Sequence, residues 1–137
     1  MNILFMCVAN SARSQLAEGI AKQVFGNKAD IRSAGSQPTK VNPFAIRALN
    51  EVGAEFRSLY SKTVDDLPRD FVDQLDYVIT LCAEEVCPII ISKAKKLHWP
   101  LPDPAGKDGS DDEQMARFRK TRDEIRKRLE AFSKDFS

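Results

Sequence analysis

The chain has 137 residues, of which 42% are hydrophobic, and 21 basic against 20 acidic side chains give it a formal net charge of +1. This length supports one packed core, so we predict a single domain over 1–137, and the balanced charge does not indicate binding to nucleic acid or to a membrane surface. No apolar run approaches about 18 residues, which excludes a membrane-spanning helix, and without an export signal we expect a cytoplasmic protein.

The first half of the chain predicts two strands and two helices in alternation. In chain order they are a buried strand over 2–7, a helix from Gln15 to about Gly26, a short strand over 30–33, and a helix from Pro43 to about Val52. Asn42 is typical of the residue that caps a helix, and proline is favoured in the first turn that follows.

The second half continues the alternation. It predicts a shorter helix over 64–74, a strand over 77–81, a last strand over 97–99, and a C-terminal helix that starts at a capping box formed by Ser110 and Glu113. Strands that alternate with helices indicate an α/β fold with a parallel sheet between helices. In such folds the functional site lies at the carboxyl ends of the strands.

The segment C-V-A-N-S-A-R-S, from Cys7 to Ser14, joins the first strand to the first helix. A loop in this position directs backbone N–H groups and the positive end of the helix at one point, which binds a tetrahedral anion and favours a thiolate. Arg13 adds a two-pronged donor, Ser11 and Ser14 add hydroxyls, and Asn10 tolerates the positive φ of a tight loop. The alternative is that Cys7 is a small core residue and that C-x5-R arises by chance.

Cys82 and Cys87 complete the three cysteines of the chain. An odd number of cysteines in a chain without an export signal argues against a static disulfide scaffold. Zinc would need four ligands, and His98 is the only histidine, so we predict no metal. The two thiols are either core residues or, with Cys7, parts of a relay that passes a disulfide outward.

Asp103 stands between Pro102 and Pro104, which restrict its backbone. The residues alone favour a turn at this position, and the alternative is a catalytic acid. We interpret His98 and Trp99 as structural.

Several segments together resemble the low-molecular-weight tyrosine phosphatase superfamily, and within it the thioredoxin-coupled arsenate reductases. The similarity runs from Asn2 to about Phe132. Besides the loop, the segments that carry it are Q-L-A-E-G at 15–19, S-A-G at 33–35, N-P-F-A-I at 42–46, the cysteine pair at 82 and 87, and H-W-P-L-P-D-P-A-G at 98–106.

The resemblance implies a three-layer sandwich around a four-stranded parallel sheet in the order 2-1-3-4. It also implies a monomeric arsenate reductase without a cofactor that serves arsenic detoxification, with phosphate and sulfate as substrate analogues. Cys7 attacks arsenate, Asp103 protonates the leaving oxygen, Cys82 attacks Cys7, and Cys87 then forms a disulfide with Cys82 that thioredoxin reduces. Reduction by a glutaredoxin-like protein instead of thioredoxin remains an alternative.

Two other functions remain as alternatives. The first is a phosphatase that works through a phosphocysteine, either as the main activity or as a weak side activity. Phosphatases of this superfamily carry aromatic residues after the D-P pair, where this chain has Ala105 and Gly106, and their absence favours the reductase. The second is a non-catalytic oxyanion-binding or redox-sensing module, which would leave Asp103 without a role.

The chain departs from the family pattern at a few positions. Ala9 replaces a glycine, which predicts an ordinary backbone conformation there, and Ala12 replaces a cysteine found in many relatives. The gap between the last two cysteines is shorter than the six residues of the best-known branch.

A further departure is Lys62, which stands where the reductases have an aspartate. Some relatives bind potassium at that place, through residues that match Asn10, Glu18 and Ser33. We predict that the Lys62 ammonium supports the loop instead and that no potassium binds.

Overall fold

The computed structural model describes residues 1–83, 90 and 92–136. Its strands are β1 (Asn2–Cys7), β2 (Asp30–Gly35), β3 (Tyr77–Thr80) and β4 (Lys95–His98). Its α-helices are α1 (Arg13–Phe25), α2 (Pro43–Glu51), α3 (Arg69–Asp73) and α4 (Asp111–Ser133), and short 3₁₀ turns occur at Gly26–Lys28, Val64–Asp66 and Lys134–Phe136.

The four strands form one parallel sheet in the order β2-β1-β3-β4. This confirms the predicted fold class and strand order. β1 pairs with both β2 and β3. Cys7 of β1 pairs with Gly35 of β2, and Met6 of β1 pairs with Thr80 of β3, so the three strands end at the same edge of the sheet. The carboxyl edge of the sheet therefore carries the Cys7 loop.

Side chains on β1 alternate between two hydrophobic cores, as strand geometry requires. Ile3 and Phe5 pack with α1, α2 and α4 on one face of the sheet. Leu4 and Met6 pack with α3 and its neighbours on the other face. The result is the predicted three-layer arrangement, with the larger core under α1, α2 and α4.

Several element boundaries differ from the sequence prediction. The predicted helix over 64–74 is divided into a 3₁₀ turn and α3, because Pro68 interrupts it and the preceding Leu67 is extended, with ψ of 150°. β2 continues to Gly35, and β4 begins at Lys95 because it pairs residue by residue with β3. Most relevant to the site, α1 starts at Arg13 rather than Gln15.

The C-terminal helix α4 begins at the predicted capping box, in which the Ser110 hydroxyl accepts from the Glu113 backbone N–H. Across the helices, Glu51 at the end of α2 is bound by Arg119 and Arg122 of α4, at 2.7 and 2.9 Å. The hydrogen bond from Arg119, supported by Arg122, lowers the pKa of Glu51 to about 2.

Among the helices described, none combines the length and apolar character needed to cross a membrane.

Candidate active site

The loop between β1 and α1 turns several of its backbone carbonyl groups away from its centre. Three of them accept N–H groups from the segment after β2: Val8 from Gln37 at 2.9 Å, Ala9 from Thr39 at 3.1 Å, and Ser11 from Asn42 at 3.0 Å. When carbonyls point outward, the amide N–H groups of a tight loop point inward and form a concavity for an anion. α1 adds its positive end, since its N-cap, Ala12, has no capping side chain.

Two residues give the loop its shape. Asn10 has a φ of 47°, as predicted, and Ala9 does not have a positive φ, which confirms the ordinary backbone expected there. Gly35 allows β2 to approach the loop closely, because a Cβ at this position would lie 2.4 Å from the Val8 carbonyl oxygen. Any larger residue at Gly35 would therefore displace the loop.

Cys7 lies at the base of this loop and is 3% exposed. Its sulfur is 2.8 Å from the Ser14 hydroxyl oxygen, and that oxygen is in turn 2.7 Å from Asn10 Nδ2. The amide nitrogen can only donate, so the Ser14 oxygen accepts from Asn10 and its own proton is available to the sulfur. A hydrogen bond of this polarity stabilises a thiolate.

The same chain of hydrogen bonds continues from Asn10 to a buried carboxylate. Asn10 Nδ2 also donates to the Ser33 hydroxyl at 3.0 Å, and Ser33 donates to Glu18 Oε1 at 2.6 Å. Asn10 Oδ1 accepts the backbone N–H of Lys62 at 3.1 Å, which fixes the orientation of the amide. We call the series Glu18, Ser33, Asn10, Ser14 and Cys7 the loop network.

Lys62 lies at the carboxylate end of the loop network and is 4% exposed. Its Nζ is 3.6 Å from Glu18 Oε1, donates to the Tyr60 carbonyl at 2.9 Å, and lies 4.4 Å from the centre of the Tyr60 ring. Burial lowers the pKa of Lys62, and the Glu18 carboxylate opposes that effect. The structure thus places the Lys62 ammonium beside the Glu18 carboxylate, and its support of the loop in place of potassium remains a prediction.

Sequence reasoning missed three other supports of the loop. Gln15 Nε2 donates to the carbonyls of Asn10 and Tyr60, both at 3.0 Å, and the Ser61 hydroxyl donates to the Asn10 carbonyl at 2.6 Å. Lys22 binds the second oxygen of Glu18 at 2.7 Å. The spacing of Glu18 and Lys22 on one helix could have indicated this last pair.

Arg13 and Asp103 meet on the other side of the loop. Arg13 Nη1 donates to the carbonyls of Leu101 at 2.9 Å and Leu81 at 3.4 Å, which holds the guanidinium plane. Its Nη2 is 3.8 Å from Asp103 Oδ2. The Asp103 side chain is 40% exposed, and its Oδ1 accepts the Ala105 N–H at 3.0 Å. Asp103 therefore forms the turn that its residue type favours and also faces the site with its second oxygen.

Two of the three cysteines lie among the described residues, and they differ in their state. Cys7 is a free thiol, whereas Cys82 is 1% exposed and disulfide-bonded. Cys87 lies outside the described residues. Ser11 is half-buried, and its role in binding an anion remains a prediction.

The remaining candidates take structural positions. His98 Nδ1 is 2.7 Å from the Thr80 hydroxyl, and Trp99 packs against Phe5 and Phe132, with ring centres 6.5 and 5.7 Å apart. Within the described part of the chain, no group of three or more His, Cys, Asp or Glu side chains could hold a metal ion.

These features define a class of α/β protein in which a cysteine thiol and an arginine face a shared oxyanion loop at the carboxyl edge of a parallel sheet. Comparison with known sequences identifies the family within that class. The chain belongs to the low molecular weight phosphotyrosine protein phosphatase family, whose sequence profile matches residues 2–137.

Relatives in this family include arsenate reductases. The chain is 41% identical to the arsenate reductase of Halalkalibacterium halodurans over 133 residues, which are 96% of this chain and 94% of that protein. The arsenate reductase from Archaeoglobus fulgidus, whose crystal structure is known, is 27% identical in sequence to this chain. The two structures superpose with a TM-score of 0.77, over 95% of this chain and 97% of that one. The thioredoxin-dependent arsenate reductase of Corynebacterium glutamicum is 30% identical with a TM-score of 0.72, over 97% of this chain and 60% of that one.

Proposed function

We propose that this protein reduces arsenate to arsenite and that thioredoxin returns it to the reduced state. The proposal rests on its curated relatives, such as the arsenate reductase of Halalkalibacterium halodurans, and on the geometry at Cys7. The observation that carries most weight is the 2.8 Å contact between the Cys7 sulfur and the Ser14 hydroxyl, at the base of an anion loop that Arg13 closes. That contact suits a nucleophilic thiolate rather than an inert core cysteine.

In the first step, the Cys7 thiolate attacks the arsenic of a bound arsenate, and a sulfur–arsenic bond replaces one arsenic–oxygen bond. The loop N–H groups and Arg13 hold the other oxygens and stabilise the charge that develops on them. Asp103, in its protonated form, gives its proton to the departing hydroxyl group of the arsenate, which leaves as water. The 3.8 Å separation of Asp103 Oδ2 from Arg13 Nη2 supports this role, since it places the carboxyl beside the anion-binding guanidinium.

In the second step, the Cys82 thiolate attacks the Cys7 sulfur. A disulfide forms, the electron pair of the sulfur–arsenic bond moves to arsenic, and arsenic leaves as arsenite in the trivalent state. Cys87 then attacks the Cys82 sulfur, which frees Cys7 and leaves a disulfide between Cys82 and Cys87. A free Cys7 together with a disulfide at Cys82 fits the state that follows this last exchange.

The dithiol of thioredoxin supplies the two electrons that restore the enzyme. Cys82 itself is 1% exposed, so direct attack on it from solvent is hindered. A relay that ends at Cys87 would present a second sulfur to the reductant. The relative from Corynebacterium glutamicum, which is thioredoxin-dependent and aligns with 97% of the present chain, supports the choice of thioredoxin.

A coupled assay tests this function directly. Purified protein, thioredoxin, thioredoxin reductase and NADPH are mixed, and oxidation of NADPH is followed with and without arsenate. We expect oxidation that depends on arsenate and yields arsenite in equal amount, and none with Cys7→Ser, because a hydroxyl is a far weaker nucleophile than a thiolate. No arsenate-dependent oxidation with thioredoxin, or undiminished turnover by Cys7→Ser, would refute the proposal.

A further inference from the structure

A cavity separate from the anion loop lies behind the loop network, on the side away from the Cys7 sulfur. Its volume is about 570 Å³, and it is lined by the start of β1 and β2, by the 3₁₀ turn at Gly26–Lys28, by residues 58–62, and by Glu18 and Lys22 of α1. None of its lining residues belongs to the loop at 7–14. Asn2 and Asp30, the first residues of their strands, line it, whereas Cys7 is the last residue of β1.

The wall of this cavity carries an excess of positive charge. Four basic side chains line it, Lys22, Lys28, Arg32 and Lys62, against the two carboxylates of Glu18 and Asp30. Both oxygens of Glu18 face ammonium groups, with Lys22 at 2.7 Å and Lys62 at 3.6 Å. One negative charge is therefore shared by two positive charges, in surroundings where burial weakens the screening by water.

The remaining charges do not remove this excess. Arg32 is paired with Asp30 at 3.1 Å, within the same strand. Lys28 extends the positive wall from the adjacent 3₁₀ turn and is exposed to solvent. Burial is the main cause of the lowered pKa of Lys62, and the positive charges of Lys22 and Arg32, which line the same cavity, lower it further.

The size of the cavity limits the kind of ligand. A volume of about 570 Å³ falls in the range of small-molecule sites and is more than a single tetrahedral ion fills. Tyr60, which is 55% exposed, forms part of the wall and already stacks on the Lys62 ammonium. A ligand that matches this wall has at least two anionic groups, spaced to reach Lys28 and the pair Lys22 and Lys62.

We propose that this cavity is a binding site for a small polyanion of the diphosphate class, separate from the arsenate site. The ligand contacts the ammonium groups of Lys22, Lys28 and Lys62 and neutralises the charge that Glu18 leaves uncompensated. The proposal does not depend on the reductase activity, because no lining residue of the cavity belongs to the loop at 7–14. The cavity is connected to the loop through Glu18, the end of the loop network, and through the Lys62 backbone N–H, which donates to Asn10 Oδ1.

Amide-resolved NMR titration tests the proposal, with inorganic pyrophosphate as the probe. We expect pyrophosphate to shift the amide signals of residues 27–32 and 58–62 along one saturating curve. The loop signals of residues 7–14 should follow a second curve with its own affinity. Inorganic phosphate at the same concentration should affect the cavity signals less, because it carries a single anionic group.

Two charge reversals provide matched variants. Lys28→Glu should weaken the cavity curve about fivefold or more and leave the loop curve unchanged, because local charge sets the affinity of the site. Lys127→Glu, on an exposed position of α4 outside the cavity, makes the same change in net charge and should leave both curves unchanged.

Three results would overturn the proposal of this binding site. The first is a titration in which only the signals of residues 7–14 respond to pyrophosphate. The second is equal weakening by Lys28→Glu and Lys127→Glu, which would reveal attraction by net charge alone. The third is the same set of shifts from sodium chloride at matched ionic strength.

Discussion

Ser14 donates its hydroxyl proton toward Cys7, because its oxygen, 2.8 Å from the sulfur, already accepts an amide proton from Asn10 at 2.7 Å. The direction of this bond is set at the far end of the loop network. Glu18 can only accept, so Ser33 donates to it and must accept from Asn10 in turn. The buried carboxylate thus determines the polarity of a hydrogen bond to the nucleophile four contacts away.

Ser14→Ala should therefore slow alkylation of Cys7 by iodoacetamide at neutral pH. A hydrogen bond to a charged group contributes about 1.5–3 kcal/mol, so we expect a decrease of about tenfold or more in rate and in arsenate turnover. Mass spectrometry of the Cys7 peptide gives the alkylation rate, and Ser133→Ala, at the end of α4, is the control. Alkylation of the Ser14 variant at the wild-type rate would remove this hydroxyl from thiolate stabilisation.

Lys62→Met should lower the melting temperature and arsenate turnover, because Glu18 then loses one of its two ammonium partners. Potassium should not change either property of the wild type, and should partly restore the variant by entering the space of the ammonium. Melting curves in potassium chloride and in sodium chloride at equal ionic strength measure both effects, with Lys127→Met as the control. A potassium-specific stabilisation of the wild type would contradict the assignment of Lys62.

The Cys7 loop was predicted from the local sequence pattern, whereas the sheet order was predicted from the family resemblance alone. The sequence did not predict the hydrogen bond from Ser61 to the Asn10 carbonyl, because the two residues are 51 positions apart along the chain and meet only after the sheet has formed. The start of α1 at Arg13 was also missed. No capping side chain marks that boundary, since Ala12 occupies the N-cap position.

The break at Pro68 and the start of β4 were missed for different reasons. Helical periodicity continues through residues 64–74, so only the restriction that proline places on Leu67 indicates the interruption. Lys95 and Lys96 have little strand preference, and they are strand residues because β3 offers them partners at Tyr77 and Val78.

Asp103→Asn should slow the first chemical step and leave the fold unchanged. The asparagine side chain keeps an oxygen that can accept the Ala105 N–H, so the turn persists, while the proton for the leaving oxygen is lost. General acid catalysis typically contributes about 10² to 10⁴ in rate. Single-turnover arsenate kinetics measure it, with Asp108→Asn in the same loop as the control. A wild-type rate in Asp103→Asn would return this residue to a purely structural role.

Glu51→Gln should destabilise the protein only where Glu51 is ionised. Because Arg119 and Arg122 lower its pKa from 4.5 to about 2, the stabilisation is complete above pH 4.5 and is lost as the pH falls toward 2. The partly exposed pair limits the effect to about 1 kcal/mol or less at neutral pH. Urea unfolding between pH 7 and pH 3 measures the difference from wild type, with Glu130→Gln as the control. A difference that grows with acidity would contradict this reading.

Cys82→Ser and Cys87→Ser should separate reduction from hydrolysis. Hydrolysis of an aryl phosphate needs Cys7, Arg13 and Asp103, so both variants should keep whatever phosphatase activity the wild type has. Arsenate turnover should stop in both, with a Cys7 adduct in Cys82→Ser and a Cys7–Cys82 disulfide in Cys87→Ser. Peptide mapping after one turnover without reductant should find the wild-type disulfide between Cys82 and Cys87. Multiple turnovers by either variant with thioredoxin as the sole reductant would refute the three-cysteine relay, and arsenate-treated wild type with both cysteines reduced would favour the phosphatase.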